Sequence, residues 1–418
     1  MVTSPTLPAF ARVAQLAADR RVHKAFQWLH LHERQIMRWQ TELVAIPAPP
    51  FAESARAASL CALFNDVGLS DVHTDAIGNA LGTRKSATPS EYAVLISAHI
   101  DTVFPAGTPI HPKARNTRLE APGACDNGAG LACLLALAAA LKHADITPPC
   151  DIVFCGNVGE EGEGDLRGTR YLYEQPAFAS RIAAHLVIDG AGHEVAVTEA
   201  LGSRRYQVTL NGPGGHSWAN AGFPNPIVAL CQAIARLSSL DIDPSPRTTM
   251  NVGTIEGGTA TNVIPSSASA RFDFRSTSPE QLVRLEVELH RAVEDAVIAA
   301  NQALSGSVLT GAALTGASLT YTISNIGHRP AGALPEDAPL YQLLRAVDRH
   351  LNIATQARTA STDANIPLAR GVPALSLGAG GSGGGVHTLH EWYNAKDREF
   401  GLRRVLLLLL AAAESAAA

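Results

Sequence analysis

Three apolar runs constrain the fold of this chain more than any other feature. They are YAVLISAHID at 92–101, DIVFCGNVGEEGEG at 151–164 and HLVIDGAGH at 185–193. Each is short, apolar without alternation, and closed by polar residues, which is the pattern of a strand buried on both faces. The first two flank GAGLACLLALAAALKHA at 128–144, an apolar stretch of helical length. VPALSLG at 372–378 repeats the strand pattern before a glycine-rich loop and a closing helix. Strands alternating with helices predict an α/β fold, with a mixed, largely parallel sheet and helices on both faces. Upstream, residues 11–45 read as helical until the prolines of IPAPP at 46–50 end them. A further helix covers about residues 53–67, and VHTDAIGNALGTR at 72–84 reads as a hairpin.

The pattern changes at Gly202. SRRYQVTLNG, MNVGTIEGG, SASARFDFRS and SLTYTISN alternate polar and apolar residues, as an antiparallel sheet with one wet face does. NPIVALCQAIARLSSL and SPEQLVRLEVELHRAVEDAVIAANQAL interleave as helices. The order β-α-β-β-α-β predicts a ferredoxin-like α+β domain. A chain of 418 residues exceeds one ordinary core. The expected division is 1–201 and 331–418 as the two parts of a large domain, with 202–330 inserted between them.

A net charge of -5 without a basic stripe argues against nucleic acid as a partner. None of the six cysteines forms a CxxC pair, so thiolate zinc and redox motifs are not expected. Cys133, Cys150 and Cys155 lie in apolar surroundings and read as small packing residues. MVTSPTLPAFARVAQ lacks the basic start and long apolar stretch of a secretory signal. The apolar run Val405–Ala413 falls well short of the roughly 20 residues that span a bilayer. The expectation is a cytoplasmic protein without a membrane segment.

Open α/β sheets place their sites beyond the carboxyl ends of the strands. His99 and Asp101 follow the first run, Glu160 and Glu161 the second, and Asp189 the third. His387 follows the fourth strand and its glycines, and Asp126 stands in GACDNGAG at the entrance to the apolar helix. Hard oxygen and imidazole ligands, with an acid able to take a proton from water, are what a hydrolytic metal site needs. The loop GAGGSGGGVH lacks the lysine and spacing of a phosphate loop, and no GxSxG elbow accompanies Ser217.

The ordered set SAHIDTVFP, GACDNGAGLA, GEEGEGDLRG, VIDGAG, NGPGGHSWA, GTATNVIP, FDFRS, STDANIPLARGVPALSLG and GGGVHTLHEW runs from 97 to 392. It resembles the dinuclear zinc peptidases and amidohydrolases that include peptidase T, glutamate carboxypeptidase, aminoacylase, acetylornithine deacetylase and succinyl-diaminopimelate desuccinylase. The match is closest to peptidase T-like members. The resemblance implies two divalent metals, zinc by preference, on a zinc-exopeptidase-like domain with an inserted dimerisation domain. His99 and Asp189 would bind one metal, Glu161 and His387 the other, and Asp126 would bridge. His390 is the alternative to His387, which stands four residues before Glu391 as in the family ending. Asp101 would orient His99 through its carboxylate, and Glu160 would be the general base. A cis peptide is implied at Asp126–Asn127. His216 would polarise the scissile carbonyl, often from a partner subunit, while Asn262 and Arg275 would contact substrate. The implied activity is hydrolysis of short peptides by a homodimer. N-acyl amino acid deacylation is the alternative, and a non-catalytic binding protein would require a broken ligand set.

Overall fold

The computed structural model describes residues 8–242, 244–305 and 318–418. The first seven residues of the N-terminal segment and residues 306–317 of the insert, both covered by the sequence reading, lie outside the described residues. The chain divides into two compact units, one of residues 1–200 with 333–418, the other of residues 201–332.

The large unit is built on β1 (Ser70–Thr74), β2 (Ala80–Arg84), β3 (Ala93–His99), β4 (Asp151–Asn157), β5 (Ile182–Ile188), β6 (Val195–Ala200), β7 (Gln356–Ala360) and β8 (Ala374–Leu377). They join in the order β1-β2-β4-β3-β5-β8-β6, with β7 beside β6. The central strands β4, β3, β5 and β8 run parallel, and β1 and β2 form an antiparallel hairpin at one side. The expected mixed α/β architecture is therefore present. Its cause is visible along β3: Val94, Ile96 and Ala98 enter the main core, while Ala93 and Leu95 enter a second core on the other face. Every residue of β3 and β4 is buried, so neither face tolerates the polar alternation of a wet sheet.

The helix Gly128–His143 is buried from Gly128 to Leu141, which is why its sequence carries no polar stripe. The closing helix Arg398–Ala416 buries Leu406, Leu407, Leu408, Leu409 and Leu410 in the main core. Each such side chain contributes about 1.5–3 kcal/mol on burial. The helical stretch 11–45 is three helices, Ala9–Ala18, Arg20–Leu31 and Glu33–Val44. The first break is at Asp19, whose extended backbone lets its carboxylate accept from the Arg21 N–H at 2.7 Å as a cap.

The second unit has strands Gly202–Asn211, Thr248–Gly257, Ser267–Ser276 and Thr320–Arg329. In chain order they stack as second, third, first, fourth, antiparallel throughout, which is the ferredoxin-like topology. Helices Pro226–Ser238 and Pro279–Ser305 supply its core with Leu230, Leu285 and Leu289 against Val208, Phe272 and Phe274.

Candidate metal centre

Parallel neighbours β4, β3 and β5 end at the same edge, and their carboxyl ends carry four of the predicted residues. His99 is the final residue of β3, Asp189 follows β5 directly, and Glu160 and Glu161 stand just past β4. The structure gathers these with Asp126 and His387. Potential ligand atoms of His99, Asp126 and Asp189 lie within 4.8 Å of one another, as do those of Asp126, Glu161 and His387. The two groups share Asp126. Its Oδ1 is 2.9 Å from His99 Nε2, and its Oδ2 is 3.1 Å from His387 Nε2. His387 Nε2 also lies 3.0 Å from Glu161 Oε1. His390, the alternative to His387, is in neither group.

Both imidazoles turn Nε2 toward carboxylates. His99 Nδ1 donates to the main-chain oxygen of Asp101 at 3.0 Å, which directs the Nε2 lone pair at the carboxylates of Asp126 and Asp189. A lone pair facing carboxylate oxygens needs a proton or a metal between them. Asp126, Glu160, Glu161 and Asp189 crowd two imidazoles here, a donor set that suits divalent cations. The charges of the site act in the same sense. Hydrogen bonding to Asp126, with the charge of Glu161, raises His387 to about 9. Burial pushes the Glu161 carboxyl up. Burial acts on Asp126 in the same sense, but hydrogen bonds from His387 and His99 outweigh it and hold its carboxyl well below the usual range.

Asp101 faces both His99 and the acid pair. Its carboxylate stands 3.7 Å from His99 Nδ1, too far for a hydrogen bond, because the nearer carbonyl two residues along takes that nitrogen. The carboxylate instead accepts the backbone N–H groups of Glu160 at 2.9 Å and Glu161 at 2.8 Å. Asp101 thus fixes the acid pair through its side chain and His99 through its backbone. Burial raises its pKa, but His99 and the two N–H groups prevail and lower it.

Asp126 is held by residues that sequence reasoning did not assign. Buried Glu391 accepts three backbone N–H groups: Cys125 at 2.7 Å and Asp126 at 2.8 Å on Oε1, and Gly123 at 2.9 Å on Oε2. The Asp126–Asn127 peptide is cis, as the resemblance implied. Asn127 caps the following helix at the Gly130 N–H and donates to the Ile188 carbonyl at 2.8 Å, tying Asp126 to the strand end that carries Asp189. Gly130 is required there, since a Cβ would lie 2.2 Å from Asn127 Oδ1. Beneath the centre, buried Asp363 accepts from Asn157 Nδ2 at 2.6 Å and Thr169 Oγ1 at 2.7 Å. The only sequence signal for these braces was their place inside the quoted motifs.

The remaining predicted residues lie in the second unit. His216 sits on a two-residue strand paired with Val263–Ile264, and Ser217 N donates to the Asn262 carbonyl at 3.0 Å, so the fold brings His216 and Asn262 together. His216 is exposed. Arg275 lies on strand Ser267–Ser276 and donates to Asp273 at 2.7 Å.

The description "Peptidase family M20/M25/M40" matches residues 95–411. The chain belongs to that family. A probable carboxypeptidase of Aspergillus fumigatus is 30% identical over 239 residues, 51% of this chain and 50% of that protein. This chain spans about half the length of the curated relatives it matches. The aminopeptidase PepT of Bacillus cereus superposes with a TM-score of 0.73 at 19% identity, covering 91% of this chain and 99% of that one. A dinuclear metal binding M20 peptidase of Bacillus subtilis gives 0.66 at 14% identity, covering 92% and 99%. These structures share the M20 fold. Among the described residues, no helix is long and apolar enough to cross a membrane.

Proposed function

We propose that this M20 chain is a two-metal hydrolase that cuts amide bonds of short peptides. The observation that carries the reading is the division of one carboxylate between two imidazoles: Asp126 offers one oxygen toward His99 and the other toward His387. His99 and Asp189 would hold one metal, Glu161 and His387 the other, and Asp126 both. When bound, divalent cations, zinc by this reading, would supply Lewis acidity and lower the pKa of water at the site. Glu160, held through its backbone by Asp101, takes the proton of the attacking water and returns it to the leaving amine. Glu391 keeps the Asp126 backbone fixed while charge develops. His216 polarises the scissile carbonyl, and Asn262 and Arg275 contact the substrate. A homodimer in the cytoplasm completes the reading. The peptidase names of the aminopeptidase and carboxypeptidase relatives support peptides over N-acyl amino acids.

The test measures metal content and turnover together. Two equivalents of metal per chain are expected, with activity on dipeptides or tripeptides that a chelator removes and metal restores. Preference for N-acetyl amino acids would assign a deacylase instead. Turnover that survives complete removal of metal would refute the two-metal reading.

A further inference from the structure

Beside the metal centre, and within the large unit, lies a second concave site with a different chemistry. A cleft of about 480 Å³ opens between the hairpin of strands Lys113–Arg115 and Arg118–Glu120 and the loop that runs from His387 to Glu391. The hairpin is hydrogen-bonded to strand Trp392–Asn394, so one wall and the strand that follows the other belong to one small antiparallel sheet. Glu391 lines the cleft and also grips the Asp126 backbone, so a single residue connects the cleft to the bridging carboxylate.

The lining sorts into engaged acids and available bases. Both oxygens of Glu391 are taken by backbone N–H groups. Glu120 accepts from Arg118 Nε at 2.9 Å. The Arg118 guanidinium also lies 4.0 Å over the Trp392 ring, which holds its plane in place. Lys113, His111 and His390 line the same cleft with no ion pair or side-chain hydrogen bond among the described residues. The exposed Leu389 adds an apolar flank.

We infer that this cleft is a subsite for a substrate carboxylate, held by Lys113 and Arg118 with His111 and His390 as further donors. A planar, pre-positioned guanidinium beside a mobile ammonium matches a carboxylate. This assignment rests on the peptide-hydrolase reading above. A peptide offers two such groups, its C-terminal carboxylate and an acidic side chain.

The experiment uses the metal-loaded enzyme and the variants Lys113→Met, Arg118→Met and Lys113→Arg. A cleavable peptide is assayed as the free acid, as the C-terminal amide, and with each Glu replaced by Gln. Removing the engaged carboxylate is expected to raise KM about tenfold or more, the size of a charge-assisted contact, with a smaller change in kcat. The form that loses affinity names the source. In Lys113→Met and Arg118→Met the KM advantage of that carboxylate disappears, while Lys113→Arg keeps it. Equal losses on acid and neutral peptides, or no change on either, would overturn the subsite. Should no peptide be cleaved, glutarate serves as the probe, followed by the ring protons of His111 and His390 in NMR. Saturable shifts that vanish in Lys113→Met support the cleft independently of the activity. Unshifted rings at high glutarate would overturn it.

Discussion

Replacing Glu391 with Gln tests whether the metal centre depends on a residue that touches no metal. The carboxylate accepts three buried N–H groups, two on one oxygen and one on the other. Glutamine keeps one oxygen. If that oxygen stays on Cys125 and Asp126, the new amide N–H₂ faces the Gly123 N–H, and two donors meet where a bond was. Losing a hydrogen bond to a charged acceptor and stranding a buried donor amounts to about 2–4 kcal/mol. The loss falls on the segment that aims Asp126, so metal affinity should fall as well, by about 10–100-fold as for other groups that support metal ligands. Denaturant unfolding of the chelated protein reads the first quantity, and competition with a chromogenic chelator reads the second. A variant of reduced stability that binds metal like the wild type would show that Glu391 braces the fold without positioning the centre. Unchanged stability would refute the hydrogen-bond account itself.

Glu160→Gln should retain both metals and lose about 10²–10⁴-fold in kcat, and near-normal turnover would remove Glu160 as the base. Asp126→Ala should lose both metals and Glu161→Ala mainly one, so equal losses by elemental analysis would undermine the bridging role. His185 is fully buried between Ser97 Oγ at 2.8 Å and the Tyr173 hydroxyl at 3.2 Å, and burial pushes it down to about 3. Its folded pKa lies below the unfolded value of about 6.5, so its contribution is complete above that pH and is lost as pH falls toward 3. The loss is on the order of 5 kcal/mol, and a His185 ring that titrates near 6.5 by NMR would contradict it. Mixing Glu160→Gln with His216→Ala should restore roughly a quarter of wild-type activity if His216 acts across a homodimer with random exchange; no recovery after verified exchange confines it to its own subunit.

The strand ends were legible because burial on both faces leaves an uninterrupted apolar run, and the first polar residue after it must leave the sheet. That places His99, Glu161 and Asp189 at one edge from sequence alone. The braces were not legible. Glu391 meets its N–H partners across more than 260 residues of sequence, and Asp363 meets Asn157 across 206. No local period encodes a meeting of that kind; it exists only after both cores have packed. The contact Asp101 makes with His99 was legible only in part. Spacing brought the residue beside His99, but whether its carbonyl or its carboxylate points there depends on the local backbone path. The break at Asp19 had a signal, an aspartate two residues before the arginine whose N–H it accepts, hidden within a stretch of continuous helical character.

The first and last strands of the second unit are neighbours, with Ser203 opposite Arg329 in register. The polypeptide therefore leaves on its excursion and comes back about 5 Å away, one strand spacing. From the standpoint of the chain at 200 and 333, some 130 residues behave like a tight turn, and lengthening, trimming or recasting them changes little in the closure entropy of the surrounding chain. A lineage can thus rewrite the excursion, and with it whatever the excursion recognises, without renegotiating the fold that carries the metal ligands. A chain in which a short Gly-Ser turn joins Ala200 to Ala333 is expected to fold and bind metal on its own.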